Sequence, residues 1–357
     1  MIALEVSSAA GRPPHGGIGG SIRSLVAALL EADPETRYAL CYRLSRWRKG
    51  SLFRPRAGNV RVRVLQDPWN ALLIRGARLL HSMSTYLPET PRIPRIVTLY
   101  DLNAVRNLDW VRPEWHRKRT RRIRQAISRA DWVVTTSEAI RAEVIEELGV
   151  ADSRVRSIPL GVDLRRFRPS APEVVRSLRQ RYGDFVISVA LATPRKNLPR
   201  LIEAVARTDG LRLVLVGRAS DGEAEVQAAI ERSGIGERLE RLARIPEPQL
   251  VGLLGAARVC AVPSLYEGFG LSVLEAMACG TPVVCSESSA LPEAAGGAAL
   301  LVDAEDVDAI ASALRRVLDD DPLATGLRER GFARAREMTW ERSASRLRAL
   351  YREVAGI

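Results

Sequence analysis

The sequence predicts an α/β protein built from two doubly wound domains, each a parallel sheet covered by helices. Short apolar runs alternate with helix-length amphipathic segments almost from end to end, the pattern of parallel sheets sandwiched between helices. The 357 residues are enough for two cores of ordinary size. The alternation also starts afresh after the turn-rich stretch GVDLRRFRPSAPE at 161–173, which marks a hinge near 163–172.

In the first series the strands are expected at 2–6, 38–42, 60–65, 78–82, 95–100, 132–137 and 155–160, with helices at 20–32, 112–130 and 138–148. In the second they fall at 185–191, 212–217, 240–244, 258–264, 282–286 and 299–303. Its helices are expected at 198–208, 222–233, 247–256, 271–279 and 306–319. The final segment, 340–357, carries Leu347, Leu350, Tyr351 and Val354 on one stripe and reads as a single amphipathic helix. The domains are therefore drawn at 1–165 and 166–338, followed by a helix at 339–357.

Composition narrows the function classes. With 46% hydrophobic, 27% charged and 5% aromatic residues the chain is a globular protein, not a disordered or fibrous one. It has no apolar run long enough to cross a bilayer, and MIALEVSSAAGRP lacks the features of a signal peptide, so a cytoplasmic location is expected. Cys41, Cys260, Cys279 and Cys285 show no metal-binding spacing, and neither a disulfide framework nor a zinc site is expected.

Charge is unevenly spread. Residues 1–170 hold 30 Lys and Arg against 16 Asp and Glu, net +14, whereas residues 171–357 hold 24 against 26, net −2. Much of the excess lies in RPEWHRKRTRRIRQAISRA at 112–130, with cations at 117, 118, 119, 121, 122, 124 and 129. Such a helix suits an anionic membrane surface, which would make the protein peripheral on the inner face of the cell membrane; a phosphorylated partner or nucleic acid would fit the same charge.

Ligands of such sheets bind at the carboxyl ends of strands, where loops lead into helix N-termini, so the cleft between the two domains is the expected site. The richest segment there is PSLYEGFGLSVLEAMACGTP, 263–282. It leaves a strand, turns through two glycines, Gly268 and Gly270, opens a helix near Gly270 and closes it at Gly280. Glycine lets backbone approach a ligand closely, and the first-turn N–H groups of the helix attract phosphate. A carboxylate can accept from both hydroxyls of a ribose, a role that fits Glu275; Glu267, in the loop, would reach another part of one extended ligand.

Arg195 and Lys196 follow the first strand of the second series, where two cations would neutralise a diphosphate. Gly16, Gly17, Gly19 and Gly20 are expected in a loop between the first strand and the first helix, offering N–H groups to phosphate or acceptor. His81 ends another strand and is a candidate for the acceptor side. The stretch IVTLYDL stops abruptly at Tyr100 and Asp101, two polar groups delivered to a strand end.

The string EGFGLSVLEAMACGTPVV resembles the signature of retaining nucleotide-sugar glycosyltransferases of family 4, in which two glutamates flank seven intervening residues. The likeness spans nearly the whole chain: GGIGGSIRSLVAALL, TLYDL, ADWVVTTSEAIRAEV, IPLGVD, PRKNLPRLIEAV and TWERSASRLRALYREV occur in the family's order. It implies the GT-B fold, two Rossmann-like domains facing across a cleft, with the last helix returning to the N-terminal one. It implies also a donor bound mainly by the C-terminal domain, through Glu275, Gly268, Phe269, Gly270 and Leu271, with Gly17 and Gly19 of the N-terminal domain adding to the donor site, and catalysis by Glu267, Arg195, Lys196 and Tyr100. Asp101 and His81 would stand on the acceptor side.

Neither cofactor nor metal is implied; the partners are an NDP-sugar and a saccharide or lipid-linked acceptor, and no nucleic acid is expected. The closest subgroups build bacterial surface polysaccharides from GDP-mannose or related GDP-sugars. The chain departs from the family pattern at Ala190-Leu191, where many relatives carry Gly-Arg or Gly-Thr a few residues before the basic pair, and at Tyr100, where many have histidine. The rival reading these departures leave open is a noncatalytic nucleotide-sugar-binding subunit on the same fold, and more remotely an epimerase.

Overall fold

A computed structural model describes residues 1–11, 17–48, 52–67, 69–90, 93–106, 110 and 113–356; Gly16 and Arg112 of the sequence expectations lie outside these. Among the described residues two all-parallel sheets form. The first contains β1 (Ile2–Glu5), β2 (Tyr38–Arg43), β3 (Val60–Leu65), β4 (Leu79–Ser82), β5 (Arg95–Leu99), β6 (Trp132–Thr135) and β7 (Val155–Ser157), in the order β3-β2-β1-β4-β5-β6-β7. The second contains β8 (Phe185–Val189), β9 (Arg212–Val216), β10 (Leu239–Leu242), β11 (Val259–Val262), β12 (Val283–Ser286) and β13 (Leu300–Val302), in the order β10-β9-β8-β11-β12-β13.

Both orders grow outward from the first strand in one direction and then reverse. In the first sheet the reversal lies between β1 and β4, where Leu4 is in register with His81. In the second it lies between β8 and β11, where Ile187 is in register with Cys260. These are the two places where crossover helices diverge to opposite faces and leave a crevice at the strand ends.

The chain divides into two compact units, Met1–Gly161 with Trp340–Ile357, and Val162–Thr339. The last helix, Trp340–Ala355, thus belongs to the first unit, where it packs on the helix Gly17–Ala32. Leu347, Leu350 and Tyr351 are buried along it, and each such leucine stabilises by about 1.5–3 kcal/mol. Arg348 Nε pairs with Asp33 Oδ2 at 3.2 Å, and Arg78 Nη2 donates to Ala355 O at 3.0 Å, capping the helix end.

Two long helices were not legible as such. Pro172–Tyr182 emerges from the stretch read as a hinge; Pro172 starts it and Gly183, at φ +68°, ends it. Asp321–Glu337 follows the helix Val307–Asp319 without a loop, because Asp320 ends one helix while its side chain accepts from Leu323 N at 2.8 Å to begin the next. β7 stops at Ser157 instead of running to 160, two residues before Pro159, which has no N–H for the ladder.

Candidate functional site

In the second unit the expected donor residues converge on the reversal between β8 and β11. After β8 the chain forms a tight turn, Pro194–Lys196, and after β11 a loop that carries Glu267. Asn197, at φ +55°, reaches across with its side-chain amide to Pro263 O at 3.0 Å and Ala304 O at 2.6 Å, while Leu265 N donates to Arg195 O at 2.8 Å. The two loops are therefore locked together.

Glu267 is only 7% exposed and sits between both cations. Arg195 Nη1 donates to its Oε2 at 2.8 Å and to Tyr266 O at 3.1 Å; Lys196 Nζ donates to its Oε1, which also accepts from Ser264 Oγ at 2.9 Å. Burial alone would raise this carboxyl, but Lys196 and Arg195 outweigh it and hold the group down at about 2. Glu267 is ionised at neutral pH, and two cations beside one carboxylate leave a fixed net positive charge at the strand ends.

The following turn can be built only with glycine. Gly270 has φ +114°, and a Cβ there would lie 2.8 Å from Leu291 Cδ2 and 3.3 Å from Ala294 Cβ. Phe269 is buried beside it, Gly268 precedes it, and the helix Leu271–Ala278 opens with no side-chain cap; Val273 N donates to Gly270 O at 3.0 Å, which leaves the N–H groups of Leu271 and Ser272 for an anion. Glu275 rides on that helix with its side chain partly accessible. Burial pushes its carboxyl up to about 7; Arg166 pulls it down and Glu247 pushes it up. Arg166 is a weak counterion because Glu247 already holds its fork, accepting from Nε at 2.9 Å and from Nη2.

In the first unit Tyr100 follows β5, half-buried, and its carbonyl accepts from Thr136 Oγ1 at 3.0 Å. Burial pushes its phenol above the usual value of 10.0. Asp101 Oδ1 accepts from Asn103 N at 3.2 Å and so starts the short helix Asn103–Arg106, which orients the loop. The basic helix runs Pro113–Arg129, with Ile123 and Ala126 turned inward. Arg117, Lys118, Arg119, Arg121, Arg122 and Arg124 are exposed on it, and among the described residues no carboxylate pairs with them. Trp115 is 57% exposed at its start.

Two family models match the chain. "Glycosyltransferase Family 4" matches residues 16–166 and "Glycosyl transferases group 1" matches residues 176–334. The O-antigen chain mannosyltransferase B of Escherichia coli is 30% identical over 277 residues, covering 74% of this chain and 71% of its own. The chain is a family 4 glycosyltransferase of the GT-B fold. The D-inositol 3-phosphate glycosyltransferase of Corynebacterium jeikeium is 32% identical over 282 residues, 74% of this chain and 67% of its own. Among solved structures, Anabaena HepE in complex with UDP and glucose aligns with a TM-score of 0.74 at 18% identity, over 99% of each chain, a likeness of fold.

Two expectations for this glycosyltransferase need correction. Gly17, Gly19 and Gly20 do not form a loop: the helix expected at 20–32 begins at Gly17, whose φ is +71° and whose carbonyl accepts from Ser21 Oγ at 3.1 Å. Gly17 and Gly19 therefore contribute first-turn N–H groups of a helix instead of loop amides. His81 does not face an acceptor. It is fully buried, with Nδ1 2.6 Å from Tyr351 Oη and Nε2 2.8 Å from Thr98 Oγ1, and burial pushes it down to about 3, so it is a neutral link between the last helix and the sheet.

Sequence reading missed other polar residues of the glycosyltransferase. Glu5 ends β1 fully buried, accepting from Ser7 N at 3.1 Å and Ser84 Oγ at 3.0 Å. A carboxylate inside the apolar run IALEV was the available signal. Ser264, Asn197 and the Arg166–Glu247 pair carried none, because their roles depend on segments far apart in sequence. Among the described residues no group of three or more His, Cys, Asp or Glu is placed to hold a metal ion, and no helix is long and apolar enough to cross a membrane.

Proposed function

We propose that this glycosyltransferase moves a hexose from a GDP-sugar, GDP-mannose or a close relative, to a hydroxyl of a saccharide or lipid-linked acceptor, with retention of anomeric configuration and without a metal. The observation that carries the reading is the pair Arg195 and Lys196, fixed on Glu267 at the strand-order reversal of the second sheet. The sugar C1–O bond to the diphosphate breaks and a C1–O bond to the acceptor forms; the acceptor's proton passes to the departing phosphate oxygen. Arg195, Lys196 and the open N-terminus of Leu271–Ala278 stabilise the charge that develops on that oxygen.

In this reading Glu275 accepts from the ribose hydroxyls and Glu267 holds hydroxyls of the transferred sugar. Gly17 and Gly19 offer N–H groups to the ligand, and Tyr100 positions a sugar hydroxyl, since its upshifted phenol is a poor proton shuttle at neutral pH. The mannosyl lean draws support from the name of the Escherichia coli relative, and a nucleotide donor from the UDP complex of the HepE fold neighbour. Thermal melting of the purified chain with GDP-, UDP-, ADP- and dTDP-sugars tests the donor, because selective binding raises stability by mass action. GDP-mannose should give the largest shift. A shift with UDP-sugars alone would remove the GDP assignment, and an inverted anomeric signal in the NMR spectrum of the product would remove retention.

The acceptor reading extends to location. Six exposed cations with no carboxylate partner among the described residues, beside an exposed tryptophan, suit the interface of an anionic bilayer. Sedimentation with vesicles containing about 30% phosphatidylglycerol should carry the protein down at low salt and release it at high salt. Replacing Arg117, Lys118, Arg121 and Arg122 by glutamine should reduce binding at least tenfold. Equal binding to uncharged phosphatidylcholine vesicles, or stronger binding to RNA, would overturn the membrane assignment.

A further inference from the structure

The carboxyl edge of the first sheet holds a cation whose Nε makes no hydrogen bond among the described residues. Arg43 closes β2, next to β1 in the sheet, and its backbone N–H donates to Ser7 Oγ at 2.9 Å, which fixes the chain where the side chain departs. The guanidinium lies over the Tyr86 ring, 4.8 Å from the centroid, and the Tyr86 hydroxyl is tied to Asp67 Oδ2 at 3.3 Å. Stacking of this kind holds the planar fork in one orientation.

Arg43 Nε is buried and has no hydrogen-bond partner among the described residues. Its ion-pair partner there, Glu5 Oε1, is 3.8 Å away, too far for a hydrogen bond. Glu5 instead spends its oxygens on Ser7 N–H and on the hydroxyls of Ser84 and, at 3.5 Å, Ser82. Burial raises the Glu5 carboxyl above its ordinary value, while Ser7, Arg43 and Ser84 oppose that shift. A guanidinium held against the Tyr86 ring with 26% of its side chain accessible is pre-oriented to meet a planar or tetrahedral anion through its terminal N–H groups. It stands at the ends of β2 and β1, beside the reversal where ligands of such sheets bind.

We propose that Arg43 is an acceptor-specificity residue whose fork binds an anionic group, a phosphate or a carboxylate, carried by the acceptor sugar. The assignment rests on the reading that the first unit receives the acceptor; the donor diphosphate has its own cations in Arg195 and Lys196. Arginine is required because the anion is taken by two parallel N–H donors, which lysine cannot supply.

Calorimetric titration of the purified full chain with mannose, mannose 6-phosphate and glucuronate, each in the presence of saturating GDP, tests the proposal and separates the two anions. Wild type should bind one of the charged sugars at least tenfold more tightly than mannose. Arg43→Met should remove that preference and Arg43→Lys should keep only part of it, with mannose binding unchanged in both. If Arg43→Met fails to fold, Arg43→Lys alone decides, since a preference equal to wild type overturns the bidentate site. A preference that survives Arg43→Met, or no preference in wild type, also overturns it. GDP titrated alone keeps the outcomes distinct: loss of GDP binding in wild type defeats the donor reading, whereas failure at Arg43 leaves GDP binding unchanged.

Discussion

Replacing Arg195 and Lys196 together by alanine lowers kcat by more than about a hundredfold, the scale of losing one well-placed electrostatic contact to a developing charge. The substitution does more than delete two cations. Glu267 then remains buried with Ser264 as its surviving side-chain donor, and burial, no longer opposed, drives its carboxyl up from about 2. The linkage has a definite sign. A carboxyl held below its usual 4.5 stabilises the fold above that pH, and the contribution disappears as pH falls through the folded value of about 2. The stability gap between wild type and the double variant should therefore be present at pH 7 and narrow between pH 4.5 and 2. A near-normal kcat in steady-state assays would remove both cations from leaving-group stabilisation. Glu267→Gln gives the companion result: it frees the cations, so donor binding should be kept while kcat falls, because the amide no longer favours a positive centre on the sugar.

Much of this arrangement was visible in the chain itself, and the reasons are physical. Buried parallel strands must be short and apolar, so IALEV, FVISVAL and RVCAVPS announced themselves, and each of these three strands lies within its expected span. The glutamate pair and its glycines were legible because the turn at Gly270 admits only glycine, a constraint written into one position. What stayed hidden depends on partners distant in sequence. That Glu267 is clamped by both cations joins residues separated by 71 and 72 positions, and the tie between His81 and Tyr351 spans 270. A lone histidine at a strand end reads equally as a ligand-facing group or as a satisfied core residue; only the buried hydroxyls on both of its nitrogens decide for the second. The glycine run near the start misled for a different reason. Glycine weakens helix interiors, so GGIGG reads as loop, but at a helix's first turn the penalty is small and the packing of Ile22, Leu25 and Val26 carries the helix through.

Glu275 makes donor affinity depend on pH near neutrality, where an ordinary surface glutamate, already ionised, would give a flat profile. Its carboxyl is raised to about 7 because burial disfavours the charge, Arg166 offsets only part of that cost, and Glu247 adds to it. In the unliganded protein the group therefore begins to ionise near neutrality. The stability it lends by being protonated is complete below its usual 4.5 and is lost as pH rises through about 7. Ribose hydroxyls can donate to the carboxylate, so the donor favours the ionised form and its Kd should fall as pH rises from 6 to 8. Glu275→Gln should flatten that profile, and Glu275→Ala should raise donor KM at least tenfold, since a hydrogen bond to a charged group contributes about 1.5–3 kcal/mol. Arg166→Leu separates this account from a simple contact loss. It removes the cation that favours ionisation and frees Glu247 from the Arg166 guanidinium, so the midpoint of the profile should move to higher pH while the pH-independent affinity at the alkaline end is retained. An unchanged midpoint in Arg166→Leu, or a wild-type profile as flat as that of Glu275→Gln, would show that the ribose is held elsewhere.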